Sequence, residues 1–213
     1  MNEIIVSRRQ IIEHNRSIRY ELNICIMQTD KLNLISVSDI NEAFVLGGLY
    51  LAGHQGTKER LIMKRIILAS NNKDKIKEVK EILTGYDIIS IKEAGINVDV
   101  EENGTTFEEN ALIKARAIMK LTGEVTMADD SGLEIDYLNK APGVYSARFM
   151  GHDTSYDIKN KALIQKLEGV KGSDRSGRFV CAIAVCFPDG REIVKRGTME
   201  GLIAEEIKGD NGF

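Results

Sequence analysis

Hydrophobic and polar positions change character at Met63. From Arg65 to Ala69 (RIILA) a short apolar run fits a buried strand. The polar stretch Ser70-Asn71-Asn72-Lys73-Asp74-Lys75 follows at once. Ile76, Val79, Ile82 and Leu83 then recur at helical spacing, with Gly85 placed as a C-cap. Tyr86–Ile91 reads as a second strand. Phe107–Leu121 reads as a second helix, with Ala111, Leu112, Ala115, Ile118 and Met119 on one face and a stop at Gly123. Val125–Ala128 predicts a third, short strand that runs into Asp129-Asp130-Ser131-Gly132-Leu133, a segment with the composition of a turn. Ser155–Leu167 predicts a third helix. Gly177–Phe187 and Arg191–Gly197 predict a hairpin turned by Pro188-Asp189-Gly190. Alternating strands and helices followed by hairpin strands give an α/β class with a mixed central sheet flanked by helices.

Residues 1–62 lack this order. Apolar stretches at Leu22–Met27 and Phe44–Ala52 are separated by polar sequence, and Gly47, Gly48, Gly53 and Gly56 interrupt the second. Val37–Leu46 is readable as a helix starting at Ser38 or Asp39. The expected organisation is an unassigned extension or fusion remnant over 1–62 and one α/β domain over 63–213.

Composition narrows the picture modestly. Hydrophobic residues at 43% and charged residues at 29% describe an ordinary globular chain. A net charge of −3, without basic clusters interleaved with aromatics, argues against nucleic acid as a partner. No apolar run approaches the roughly 20 residues of a membrane span, and the start has no secretory pattern, so the expected compartment is the cytoplasm. Cys25, Cys181 and Cys186 are too few and irregular for a disulfide framework; Cys181 and Cys186 read as buried reduced thiols. His14, His54 and His152 are scattered, and no G-x-S-x-G elbow supports a serine hydrolase.

Three constellations carry candidate chemistry. Ser70, Asn72, Lys75 and Glu78 stand at a strand exit and helix start, where backbone N–H groups and the helix dipole favour phosphate. A helix N-cap followed by solvated lysines is the competing reading. In the second, Glu101 and Glu102 precede an Asn103-Gly104 turn, Glu108 and Glu109 suit a first helical turn, and Asn110 and Lys114 share a helix face. The third is Asp129-Asp130-Ser131-Gly132, after the apolar end of a strand, where open α/β sheets place ligands. Adjacent carboxylates there suit Mg²⁺, which takes one or two carboxylates together with substrate phosphates and waters. A carboxylate beside such an ion can also deprotonate water. A turn that merely caps a hairpin is the alternative.

In order along the chain, Ile67–Glu78 (ILASNNKDKIKE), Glu101–Arg116 (EENGTTFEENALIKAR), Ala128–Leu133 (ADDSGL), Ala141–Arg148 (APGVYSAR) and Gly209–Phe213 (GDNGF) resemble the Ham1-like, or ITPase, family. The resemblance runs from Met63 to Phe213. It implies an elongated two-lobed α/β fold with a cleft, a homodimer, and Mg²⁺-dependent cleavage of deaminated purine triphosphates (ITP, dITP, XTP) to monophosphate and pyrophosphate. By the same resemblance Ser70, Asn71, Asn72, Lys73, Asp74 and Lys75 would hold the triphosphate. Glu101 or Glu102, with Asp129 and Asp130, would bind the metal, and Asp130 would position or deprotonate water. Lys75 and Lys114 would offset developing charge, Ser131 would touch substrate, and Phe213 would stack on the base. The 141–148 segment would be a structural loop near the cleft.

The family pattern continues past Phe213 into Gly-Tyr-Asp-Pro and a later Ser-His-Arg element, so the chain reads as one that stops early. Two other readings follow: a pyrophosphatase for other modified nucleotides, and an inactive nucleotide-binding fragment.

Overall fold

The computed structural model describes residues 64–207 together with Ile40. The remaining expectations for residues 1–62, the side chain of Asp74 and the Gly209–Phe213 motif with Phe213 lie outside the described residues.

Among the described residues five strands form one sheet in the order β2-β1-β3-β4-β5: β1 Lys64–Leu68, β2 Tyr86–Ser90, β3 Thr126–Ile135, β4 Ser176–Cys186 and β5 Glu192–Leu202. β1 runs parallel to both β2 and β3, whereas β3, β4 and β5 are antiparallel neighbours. The mixed sheet is as the pattern predicts. Three helices flank it among the described residues: α1 Lys73–Ile82, α2 Phe107–Thr122 and α3 Tyr156–Lys166.

The helices form for legible reasons. α2 has a complete capping box: Thr106 Oγ1 accepts from the Glu109 N–H, and the Glu109 carboxylate accepts from the Thr106 N–H. Its other end closes on Gly123 at φ 67°, in the left-handed region that glycine adopts without a Cβ clash. α1 is N-capped by Asn72, whose Oδ1 accepts from the Lys75 N–H at 3.3 Å.

The sheet buries both faces. On one, Ile66, Leu68, Val79, Met127, Ile183 and Val185 pack under α1. Ile40 joins this cluster and is fully buried. On the other, Phe107, Ala111 and Ala115 of α2 meet Ala128, Val180, Ala182 and Ala184. Small residues on the strands let α2 approach closely. A third cluster, around Leu133, Ile135, Leu163, Leu167 and Ile203, seats α3 at the far end of the long strands. Cys181 and Cys186 are buried and free, as expected.

Two expectations need correction. β3 does not stop at Ala128. It spans 10 residues, and Asp129 to Leu133 are paired in register with β4 (Asp129 with Ile183, Asp130 with Ala182). The polar segment is a strand rather than a turn because partners on both faces satisfy its carboxylates. β5 likewise extends to Leu202, in step with β4.

Candidate active site

β1 pairs with β3 only through Ile67–Thr126 and Leu68–Met127. Beyond Met127, among the described residues, no strand covers the β1 side of β3. That edge opens into a cavity of about 310 Å³. The cavity thus lies past the carboxyl end of a parallel strand, at a break in sheet pairing.

Successive strand residues point to opposite faces, so Asp129 and Asp130 meet different helices. On the α1 side, Lys75 Nζ donates to Asp129 Oδ2 at 2.7 Å, with both side chains largely buried. Burial would raise the Asp129 pKa, but Lys75 and then Lys114 override it and hold the carboxyl below its ordinary value. On the α2 side, Asn110 Nδ2 donates to Asp130 Oδ2 at 3.0 Å, and the Ser131 N–H donates to Asp130 Oδ1 at 3.0 Å. Asn110 is fully buried, and its Oδ1 accepts from the Gly104 N–H, tying the loop before α2 to the same carboxylate. Burial pushes Asp130 up to about 6; the charge of Lys114 and the Asn110 hydrogen bond pull it down, against repulsion from Glu102 and Asp129. Lys114 itself lies 3.0 Å from Glu102 Oε1.

The polar half of the cavity is lined by Asn72, Lys75, Glu102, Lys114, Asp129 and Asp130, with Ser131 next along β3. These are the residues expected from sequence. Others named with them stand elsewhere. Asn71 and Lys73 are exposed and line a separate surface groove, because the turn of α1 that aims Lys75 inward aims Lys73 outward. Ser70 turns its hydroxyl to the Asn72 N–H at 3.1 Å, shaping the helix start, and does not line the cavity. Glu101 is exposed, whereas Glu102 reaches the cavity.

The other half was not foreseen. Leu133, Pro142, Phe149, Leu163 and Phe179 make it apolar, and Tyr156, Lys159 and Asn160 of α3 complete it. The predicted 141–148 loop forms part of this wall: Ser146 Oγ accepts from the Leu133 N–H at 2.9 Å and donates to the Gly143 carbonyl at 2.6 Å.

Among the described residues no three His, Cys, Asp or Glu side chains gather into a protein cage for a metal. Glu102 and Asp130 nevertheless supply oxygen donors to one cavity, and their mutual repulsion is what a cation between them would relieve. Such a set, short of ligands by itself, suits a hard cation that draws the rest from phosphates and water.

The Ham1 family model matches residues 66–213. The chain belongs to the Ham1 family. Ham1 relatives include the dITP/XTP pyrophosphatase of Bacillus licheniformis, 49% identical over 154 residues, covering 71% of this chain and 78% of that protein. The dITP/XTP pyrophosphatase of Clostridium perfringens is 48% identical over 159 residues, with the same two coverages of 71% and 78%. Among solved structures, the Staphylococcus aureus Ham1 protein superposes with a TM-score of 0.65 at 44% identity, over 70% of this chain and 77% of that one. A HAM1 protein from Coxiella burnetii gives 0.65 at 42% identity, over 71% and 78%.

Proposed function

We propose that this chain hydrolyses non-canonical purine nucleoside triphosphates such as dITP and XTP to the monophosphate and pyrophosphate. Membership of the Ham1 family and the names of its relatives support the substrate class. The observation that carries the chemistry is the division of labour between neighbours on β3. Asp129 is neutralised by Lys75, whereas Asp130, among the described residues, receives only neutral hydrogen-bond donors and retains a proton-accepting oxygen.

In this reading the triphosphate tail lies against Asn72 and Lys75 at the start of α1, where helix dipole and ammonium both favour it. The α-phosphorus rests beside Asp130. This carboxylate takes a proton from water as the water oxygen attacks; the bond from the α-phosphorus to the bridging oxygen breaks, and that oxygen leaves with pyrophosphate. Lys75 and Lys114 offset charge on the phosphate oxygens, so that catalysis is mainly positioning and electrostatics. Glu102 and Asp130 would hold Mg²⁺, whose chemistry when bound is neutralisation of phosphate charge and activation of water. The proposal extends to a homodimer, which the family resemblance implies, and to a cytoplasmic place of work, expected from the sequence.

Pyrophosphate release from dITP, XTP and dATP with Mg²⁺ tests this. Release is expected from the first two, with dATP poor. Asp130→Asn is expected to lower kcat by about 100-fold to 10,000-fold. A folded Asp130→Asn protein that keeps the original rate would sink the base assignment, and no release from dITP or XTP would sink the substrate class.

A further inference from the structure

Lys159 is 4% exposed, and among the described residues its Nζ has one hydrogen bond, to the Ala147 carbonyl at 2.6 Å, and the face of Tyr156 at 5.2 Å. Among the described residues no carboxylate forms an ion pair with it. Buried lysines are rare unless paired, and an ammonium offers three donors and no acceptor. The other cations of the cavity are already engaged, Lys75 by Asp129 and Lys114 by Glu102. Lys159 is therefore a buried charge with donor capacity left over, and it lines the cavity.

Its place along the cavity says what it faces. Leu133 lies four residues beyond Asp129 on β3, roughly 13 Å at about 3.3 Å per residue. Leu163, one helical turn after Lys159 on α3, packs in the cluster of Leu133. With phosphates at the Lys75 end and Ser131 and Gly132 between, the group reaching the apolar end is the nucleobase. This step rests on the function proposed above. Leu133, Phe149, Leu163 and Phe179 supply flat apolar contact, and Lys159 supplies the one charge.

We propose that Lys159 is a specificity residue that donates a hydrogen bond to a ring carbonyl oxygen of the substrate base. Hypoxanthine and xanthine present such oxygens. Adenine presents an amino group at the corresponding position, setting donor against donor and leaving buried N–H groups unsatisfied on both sides. Xanthine, with two carbonyls and the more acidic ring, gains most from a cation. Guanine also carries a ring carbonyl, so this contact separates oxo purines from adenine and leaves guanine to other contacts.

The test compares XTP, ITP and ATP, so that the sugar is constant, in the full chain and in Lys159→Met, which keeps the apolar stem and removes the donors. KM for XTP and ITP is expected to rise roughly tenfold to a hundredfold. The XTP:ATP ratio of kcat/KM is expected to fall with it, XTP losing more than ITP. An unchanged ratio in a folded variant overturns the proposal. If Lys159→Met does not fold, Lys159→Leu, which also removes the donors, is read in the same way. Equilibrium binding of XMP and AMP supplies a readout independent of turnover. Should the parent chain hydrolyse nothing, the hydrolytic reading fails, and stronger binding of XMP than AMP, lost in the variant, still upholds the role of Lys159. Equal binding of the two monophosphates, or binding of neither, overturns it.

Discussion

The same feature that equips Asp130 as a base works against the stability of the empty protein. Its carboxyl is raised from 3.8 to about 6, chiefly by burial. The folded state therefore holds this proton more tightly than the unfolded chain, and stability falls as pH rises from about 4 through 6. Asp130→Asn removes the buried charge and is expected to stabilise the metal-free protein by up to about 3 kcal/mol above pH 6. The gain should vanish below pH 4, where the parent residue is neutral too. Thermal melting at pH 4 and pH 8 checks this: an equal shift at both, or none at pH 8, contradicts the assignment of Asp130 as the charge held at a cost. At this scale the sequence is readable in part. Lys75, Lys114 and the two aspartates stand out by type and spacing and Glu102 only as one of the pair Glu101 and Glu102, but Lys159 does not. On α3 it looks like Lys161 or Lys166, and its burial depends on the Ala147 carbonyl, which a separate loop delivers.

Among the elements, those defined by local signals were the legible ones. The capping box and left-handed Gly123 bound α2, and the apolar run of β1 is bounded by the Asn72 cap of α1. The second half of β3 is not legible, because Asp-Asp-Ser-Gly has the composition of a turn and becomes strand only when Lys75 and Asn110 arrive from helices on opposite sides. Gly132 illustrates the same dependence. Its backbone is ordinary strand, yet a Cβ there would lie 2.5 Å from Ser146 Oγ, 2.7 Å from the Gly143 carbonyl oxygen and 2.9 Å from Phe107. The glycine is needed for the close seating of the 141–148 loop and of α2 on β3. Gly132→Ala should destabilise by about 1–3 kcal/mol through overpacking. It should also disturb the Leu133 to Ser146 hydrogen bond, with a measurable loss of activity. Denaturant unfolding decides the first part; an unchanged midpoint would show that the loop can yield.

In the molecule as a whole, a band of charge crosses the three antiparallel strands away from the cavity. Arg178 on β4 donates to Asp136 after β3 and to Glu200 on β5, and lies 3.4 Å from Glu134 on β3. Arg196 on β5 also reaches Glu134, at 2.9 Å. Bonds from Arg178, and then from Ser176, hold the Asp136 carboxyl down at about 2. The depressed value means that its contribution is intact above the ordinary 3.8 and is lost as pH falls towards 2. Solvent reaches this pair, so the effect is modest. Asp136→Asn should lower stability at pH 6 and flatten the acid limb between pH 4 and 2; a variant that titrates like the parent would exclude Asp136 as a contributor. The mixed sheet and its closing hairpin follow from sequence pattern, whereas the strand order and the number of rungs joining β3 to β4 do not. That ladder runs unbroken from Thr126–Cys186 to Ile135–Gly177. A slip of one rung that brings Asp130 to the place facing Lys75 would bring Ser131 to the place facing Asn110, keeping the counter-ion and losing the base without altering a single letter of the chain. Two identical neighbours are told apart only by parity, odd to one helix and even to the other. A one-residue deletion early in β3 would thus seat a serine where the base stands, not merely shorten the strand.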